Sequence, residues 1–275
     1  MSRQQRAAVA AETTRILGDG GYIAPSGRRV DLCADIESAV ARTRLYLPHE
    51  LPLEAAEPAA RLQTSIQVTG ESTLAATRRL AATTDSEVGA LNFASARHPG
   101  GGFLSGASAQ EESLARASGL YACLQAAPDF YRYHRANRDL LYSDRVVYSP
   151  SVPVFRDDAG GLLEKPYRIA ILTAAAPNAG ALLEREPSRL AEVRAALRSR
   201  SAKVLATAHR HGHRVLVLGA WGCGVFGNDP EDMAAVFAEH LLDGAFTGRF
   251  AQVLFAVLDP TPDRRIQKAF ARTFG

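Results

Sequence analysis

After the glycine triplet Gly100-Gly101-Gly102 and seven intervening residues, the chain carries Gln110-Glu111-Glu112. Paired carboxylates are the usual equipment for acid–base cleavage of a glycosidic bond. Three consecutive glycines let backbone N–H groups approach an anion without interference from a Cβ. A second glycine-rich run, Gly219-Ala220-Trp221-Gly222-Cys223-Gly224-Val225-Phe226-Gly227, follows the aliphatic stretch Val215-Leu216-Val217-Leu218. Neither run contains the Gly-Lys-Ser/Thr of a P-loop, and neither passes through Gly-x-Gly-x-x-Gly directly into a long helix. Neighbouring residues on a helix point roughly 100° apart, so Glu111 and Glu112 cannot face each other across a substrate as acid and nucleophile. Their roles must differ. A carboxyl beside a bound anion in a closed cleft has its pKa raised by desolvation and like charge, against the lowering effect of a helix amino end. That suits a general acid. The same residues also admit structural roles. Ser108 and Glu111 have the spacing of a capping box, with Glu111 reaching back to the Ser108 N–H, and Glu112 has the place of a solvated acid favoured in a first helical turn. Spacing alone leaves both readings open.

The elements that must position these groups alternate in type. Strand-like stretches at 65–69, 88–93, 146–155, 168–174, 214–219 and 252–259 are separated by helical patterns at 72–82, 108–124, 188–209, 230–242 and 264–274. The alternation predicts an α/β fold with a largely parallel sheet. In such sheets ligands bind beyond the carboxyl ends of the strands, where both glycine runs fall. Before residue 60 the pattern is different: a helix over 4–17, a small hairpin in which Tyr22-Ile23 and Val30-Asp31-Leu32 flank Pro25-Ser26-Gly27, a helix over 35–45, and a passage through Pro48, Pro52 and Pro58. The expected division is an amino-terminal extension, 1–60, packing on a catalytic domain, 61–275.

With 275 residues, 47% of them apolar, the chain is long enough to bury a self-supporting core. Lys plus Arg exceed Asp plus Glu by only 32 to 29, and no block of like charges marks a nucleic-acid tail. No apolar run reaches the eighteen or so residues of a membrane span, and the amino terminus lacks the pattern of a secretory signal. A cytoplasmic location is expected, and three widely spaced cysteines, Cys33, Cys123 and Cys223, fit a reducing compartment rather than a disulfide framework. His209, His211 and His213 alternate around Gly212, where a helix carboxyl end is expected, so capping rather than metal binding accounts for them. His98 is expected to be an exposed loop residue, Trp221 to pack beneath its loop, and Cys223 to serve as a small residue rather than a nucleophile.

The triplet, the seven-residue spacing and the Gln-Glu-Glu sequence resemble the signature of the bacterial-type poly(ADP-ribose) glycohydrolases, whose fold is an elaborated macrodomain. Leu91-Asn92-Phe93-Ala94 before the first loop, the second loop through Asn228, and the region of Pro25-Ser26-Gly27 and Val30-Asp31-Leu32 extend the likeness over most of the chain. The resemblance implies a three-layer fold with a mixed, largely parallel sheet and an N-terminal helical and hairpin extension. It also implies hydrolysis of the ribose–ribose O-glycosidic bond of poly(ADP-ribose), with no metal and no organic cofactor. Glu112 would protonate the departing ribose oxygen and then activate water; Glu111 would hold ribose hydroxyls, with Gln110 supporting the arrangement. Gly100, Gly101 and Gly102, with Gly222, Cys223, Gly224, Val225 and Phe226, would surround the pyrophosphate, and Asn92 would lie near the ribose. The implied partners are poly(ADP-ribose), ADP-ribose and poly(ADP-ribosyl)ated proteins, with neither a membrane nor direct nucleic-acid binding. A non-catalytic ADP-ribose reader would keep both loops, yet it would not need two carboxylates in the cleft.

Overall fold

In the computed structural model, which describes residues 1–51 and 61–275, the chain opens with helix α1 (Arg3–Asp19). A capping box starts it: Ser2 Oγ accepts from the Gln5 N–H, and Gln5 Oε1 accepts from the Ser2 N–H at 2.7 Å. Gly20, at φ +67°, ends it in the left-handed conformation. Strands β1 (Gly21–Ile23) and β2 (Arg29–Asp31) form the expected hairpin. Helix α2 (Cys33–Arg42) is shorter than the pattern predicts, because Arg44–Tyr46 leaves it as strand β3 and pairs antiparallel with residues 146–148. Sheet pairing overrides helical periodicity there, and the buried Tyr46 gains a partner in His211, 2.9 Å from its hydroxyl. Pro52, Pro58 and the boundary expected near residue 60 lie at or within the stretch outside the described residues.

The remaining elements are β4 (Ser65–Thr69), α3 (Thr73–Ala81), β5 (Val88–Phe93), α4 (Gln110–Ala117), α5 (Leu120–Gln125), α6 (Pro128–Ala136), β6 (Val146–Arg156), β7 (Leu162–Ala174), α7 (Ala179–Arg185), α8 (Ala191–Arg210), β8 (Val215–Leu218), α9 (Pro230–Leu241), β9 (Gln252–Ala256) and α10 (Arg265–Phe274). One sheet runs β3-β6-β7-β5-β8-β9-β4, parallel from β7 through β4, with β6 antiparallel to both its neighbours. The aliphatic runs of β5 and β8 are buried throughout their central residues, as strands covered on both faces must be. Leu205, Phe237 and Phe270 of α8, α9 and α10 cover one face. Leu80, Leu114, Leu124 and Phe130 of α3, α4, α5 and α6 cover the other. This is the expected three-layer arrangement.

Two further local expectations fail. The helix predicted over 108–124 is two helices, because Ser118 is extended and bridges to Val154 while the Gly119 N–H bonds Pro153 O at 2.9 Å. A neighbouring strand thus captures the chain between α4 and α5. The capping box at Ser108 does not form either: α4 is preceded by Ala109 with no side-chain cap, since the Glu111 carboxyl has stronger partners elsewhere. At the end of α8, Gly212 at φ +73° lets the His213 N–H reach Ala208 O at 3.1 Å. His211 stacks on Tyr148 with ring centroids 3.6 Å apart, and His213 pairs with the Tyr148 hydroxyl.

Candidate functional site

Because β5 and β8 are parallel neighbours, the loops that follow them emerge side by side at one end of the sheet. The first loop turns on Gly100 and Gly101, at φ +68° and +58°, values that only glycine adopts at no cost. A Cβ on Gly101 would lie 2.3 Å from Glu112 Oε1 and 3.2 Å from Glu111 Oε2. The two carboxyls therefore meet beneath a single glycine. Gln110 ties the start of α4 to the end of β5: its Oε1 accepts from the Phe93 N–H at 2.9 Å, and its Nε2 donates to Leu91 O and Thr73 Oγ1.

Glu111 is 3% exposed. Its Oε2 accepts from the Ser95 N–H at 2.7 Å and its Oε1 from Asn92 Nδ2 at 3.3 Å. Asn92 also donates to Thr173, and its Oδ1 is buried with no partner. Burial pushes the Glu111 carboxyl up to about 8; the Ser95, Asn92 and Gly100 donors oppose this, and the neighbouring Glu112 adds to it. At neutral pH it keeps its proton. Glu112 is half-buried and accepts from the Gly102 N–H at 3.0 Å. The triplet's N–H groups thus face inward: Gly100 to Glu111, Gly101 to His98 O, Gly102 to Glu112. What the triplet offers a ligand is close approach rather than free donors.

The second loop has the free donors. Among the described residues, the N–H groups of Gly222, Gly224, Val225 and Phe226 bond to no protein acceptor, while Cys223 and Gly227 close turns to Ala220 O and Gly224 O. Gly222, at φ +76°, packs where a Cβ would meet Asn228 Nδ2 at 2.4 Å, and that amide fastens the loop by donating to Pro177 O and Gly222 O. Val225 is 90% exposed at the tip. Trp221 is fully buried beneath the loop, with Nε1 donating to Ala174 O. Burial raises the Cys223 thiol to about 12, which leaves no thiolate for nucleophilic attack. His98 is exposed, as expected.

Residues 10–157 match the family described as "Microbial-type PARG, catalytic domain". A poly(ADP-ribose) glycohydrolase of Thermomonospora curvata is 57% identical over 98% of this chain and 100% of its own, with a TM-score of 0.94. The chain belongs to the microbial-type PARG family. The Thermomonospora curvata enzyme bound to the inhibitor ADP-HPD gives 57% identity over 98% and 100% of the two chains at a TM-score of 0.93. A poly(ADP-ribose) glycohydrolase of Deinococcus radiodurans in complex with ADP-ribose gives 45% over 86% and 96%, at 0.80. No curated protein sequence matches. The fold of this microbial-type PARG is accordingly macrodomain-like.

Three positions in this PARG bear on the site but leave no motif in the sequence. Ser95 holds Glu111 through its backbone N–H, which any residue but proline supplies. Arg116, 5% exposed and one helical turn beyond Glu112, donates to Ala107 O at 2.6 Å. The Ala107 N–H bonds Gly102 O and the Gly102 N–H bonds Glu112, so these bonds and the turn of α4 from Glu112 to Arg116 join glutamate, loop and arginine in one ring. Helix α1 braces that ring from outside: Arg3 and Arg6 donate to Ser105 O and Gly106 O, and Thr13 donates to Arg116 O at 2.6 Å. Tyr142, held at φ +60°, sets its ring 5.9 Å from that of Phe226.

Proposed function

We propose that this PARG hydrolyses the ribose–ribose O-glycosidic bond of poly(ADP-ribose), with Glu112 as the group that moves the proton. The observation that carries this reading is the pair of carboxyls under Gly101, Glu111 buried and Glu112 half-exposed, beside a loop with four N–H groups that bond no acceptor among the described residues. Those donors, at Gly222, Gly224, Val225 and Phe226, suit a pyrophosphate, because a fixed N–H cradle needs little rearrangement when an anion binds. Cys223 lies between them, and Gly100, Gly101 and Gly102 border the other side of the crevice. Phe226 packs near the ligand, and Asn92, Glu111 and Gln110 fix the ribose end.

In the reaction the Glu112 carboxyl gives its proton to the leaving ribose oxygen as the C1–O bond breaks through an oxocarbenium-like state. The Glu112 carboxylate then takes a proton from the water that adds to C1, which restores the acid and releases ADP-ribose. Glu111, largely neutral at pH 7, can bond ribose hydroxyls without a second negative charge that would hold the proton on Glu112. The relatives whose structures contain ADP-ribose and ADP-HPD support the ligand class. We extend the reading to poly(ADP-ribosyl)ated proteins as the physiological carriers of the polymer. No helix among the described residues is long and apolar enough to cross a membrane. The free cysteines 33, 123 and 223 favour a cytoplasmic place of action. The bracing of the first loop by α1 favours treating residues 1–60 as an extension packed on a catalytic unit of 61–275.

Glu112→Gln tests the assignment. Hydrolysis should fall by about 100-fold to 10,000-fold while ADP-ribose binding by calorimetry is kept. Binding without release by wild type and variant alike would make the protein a reader and overturn the proposal.

A further inference from the structure

Glu112 lies on α4 and accepts its hydrogen bond from Gly102 in the loop before it, so its place depends on how that short helix sits against the loop. One face of α1 spans this joint. Arg3, Arg6, Ala10 and Thr13 follow at spacings of three, four and three, and so share a side of the helix. On the loop, Arg3 Nε donates to Ser105 O at 3.0 Å and Arg6 Nε to Gly106 O at 2.8 Å, and a Cβ on Gly106 would run into Arg3 O. Ala10, with no exposure, packs with Phe103 of the loop and Ala115 of α4. On the helix, Thr13 donates to Arg116 O at 2.6 Å. Because α4 ends at Ala117, that carbonyl belongs to the last turn, which lacks helical donors. The single Thr13 hydroxyl proton is aimed there by Arg156, whose Nε donates to Thr13 Oγ1 at 3.2 Å from the other side. Arg156, 2% exposed at the end of β6, is itself fixed by Gly160 O at 2.9 Å and by Glu12 at 2.7 Å.

We propose that Thr13 is a positioning residue for hydrolysis: held by Arg156, it fixes the carboxyl end of α4 to α1 and thereby sets how the Glu112 carboxyl meets the Gly102 N–H. This rests on the functional reading above, in which Glu112 moves the proton. Arg116 carries the effect. Its carbonyl is held by Thr13, its guanidinium donates to Ala107 O, and the Ala107 N–H bonds Gly102 O. A shift of the Arg116 backbone therefore reaches both sides of the Glu112 contact, the helix that bears the acid and the loop that supplies the donor. The amino end of α4 is tied separately, through Gln110 to β5, so only the far end depends on Thr13. The second loop, with its free N–H groups, lies outside this chain of bonds, so proton transfer depends on Thr13 and ligand binding does not.

The test compares Thr13→Val, which keeps the buried shape and deletes both bonds, with Thr13→Ser, which keeps them, and with Thr207→Val. Thr207, fully buried on α8 across the sheet, donates to Lys203 O at 2.8 Å, so its variant loses a similar bond without touching α1 or α4. The kcat for ADP-ribose release is expressed per ADP-ribose-binding site counted by calorimetry, which removes any unfolded fraction, and exchange of the Gly102 amide is followed by NMR. In Thr13→Val, kcat per site should fall about tenfold, short of the about 100-fold that a full ångström costs, with KM and ADP-ribose affinity unchanged and Gly102 exchange faster. Thr13→Ser should recover kcat. Thr207→Val should lower Tm and leave kcat per site and Gly102 exchange as in wild type. Glu12→Gln weakens only the ion pair between exposed Glu12 and Arg156, so it folds even where Thr13→Val does not, and should lower kcat by about twofold to threefold. Equal kcat per site in Thr13→Val and Thr207→Val, a loss that serine does not restore, or unchanged Gly102 exchange would overturn the proposal. With Thr13→Val unfolded, wild-type kcat and exchange in Glu12→Gln would do the same. A wild type that releases no ADP-ribose would overturn the functional reading instead, and Gly102 exchange would still decide whether Thr13 sets the contact.

Discussion

Alanine at Gly101 would put a methyl group 2.3 Å from Glu112 Oε1, 3.0 Å from its Cδ and 3.2 Å from Glu111 Oε2. Ordinary contact begins at 3.4 Å, so the Glu112 carboxyl must retreat by about 1.1 Å, losing its bond from the Gly102 N–H. The backbone, at φ +58°, adds a left-handed penalty of about 1–2 kcal/mol for any residue with a Cβ. Water can replace the lost donor at the half-exposed Glu112, so the cost to folding stays close to the backbone penalty. At roughly 2–4 °C per kcal/mol for a domain of this size, Tm falls by about 2–8 °C. Catalysis suffers far more, because a displacement near 1 Å at a reacting group costs about 100-fold. Gly101→Ala should therefore fold, and lose about two orders of magnitude in kcat for ADP-ribose release from saturating poly(ADP-ribose). Gly224→Ala is the stability control: nothing lies within 4 Å of its Cβ position and its φ is not left-handed, so Tm should not move. A folded Gly101→Ala protein with kcat within about threefold of wild type would refute the placement of Glu112 beneath the glycine.

Other outcomes follow from the same geometry. The Glu111 carboxyl keeps its proton up to about pH 8 when folded but only to about 4.5 when unfolded, so stability should decline as pH rises through that window and level off above it. The slope is at most about 1.4 kcal/mol per pH unit; urea titrations at pH 5.5 and 7.5 should show the decline in wild type and not in Glu111→Gln, and parallel behaviour of the two would rule it out. Gly222→Ala, which crowds Asn228 Nδ2 at 2.4 Å and Ala176 Cβ at 2.6 Å, should weaken ADP-ribose binding through the second loop with Glu112 chemistry intact, checked by calorimetry beside kcat. Arg116→Met removes a charge-assisted bond to Ala107 O and should cost about 1.5–3 kcal/mol of stability together with kcat, partly restored by lysine; an unaltered kcat would show that the ring around Glu112 does not position it.

Much of the fold was legible in the chain because its signals are local. Aliphatic runs bounded by turns located β4 and β5 to the residue, and helical periodicity located α3, α9 and α10 to within a residue or two. The Gln110-Glu111-Glu112 cluster and both glycine runs were visible for the same reason: residue type and spacing survive without a structure. No periodicity predicts α6 or α7, and the pattern predicts a helix running into β3, because pairing with residues 146–148 decides the conformation of Arg44–Tyr46 from a hundred residues away. The break between α4 and α5 has the same origin in Val154 and Pro153.

Residue type and spacing alone place two adjacent acids next to glycine loops at the carboxyl ends of the strands of an α/β sheet. The different surroundings of the two acids come from the tertiary structure. Burial holds Glu111 neutral against its donors from Ser95 and Asn92, while Glu112 stays half-exposed on the Gly102 N–H. In the first loop the Gly100 and Gly102 N–H groups serve the acids, whereas in the second those of Gly222, Gly224, Val225 and Phe226 have no acceptor among the described residues, and nothing in either glycine pattern distinguishes the two. Protonation and donor availability depend on what surrounds a group within a few ångströms, and that surrounding is assembled from α1, α4, β5 and β7, segments far apart in the chain.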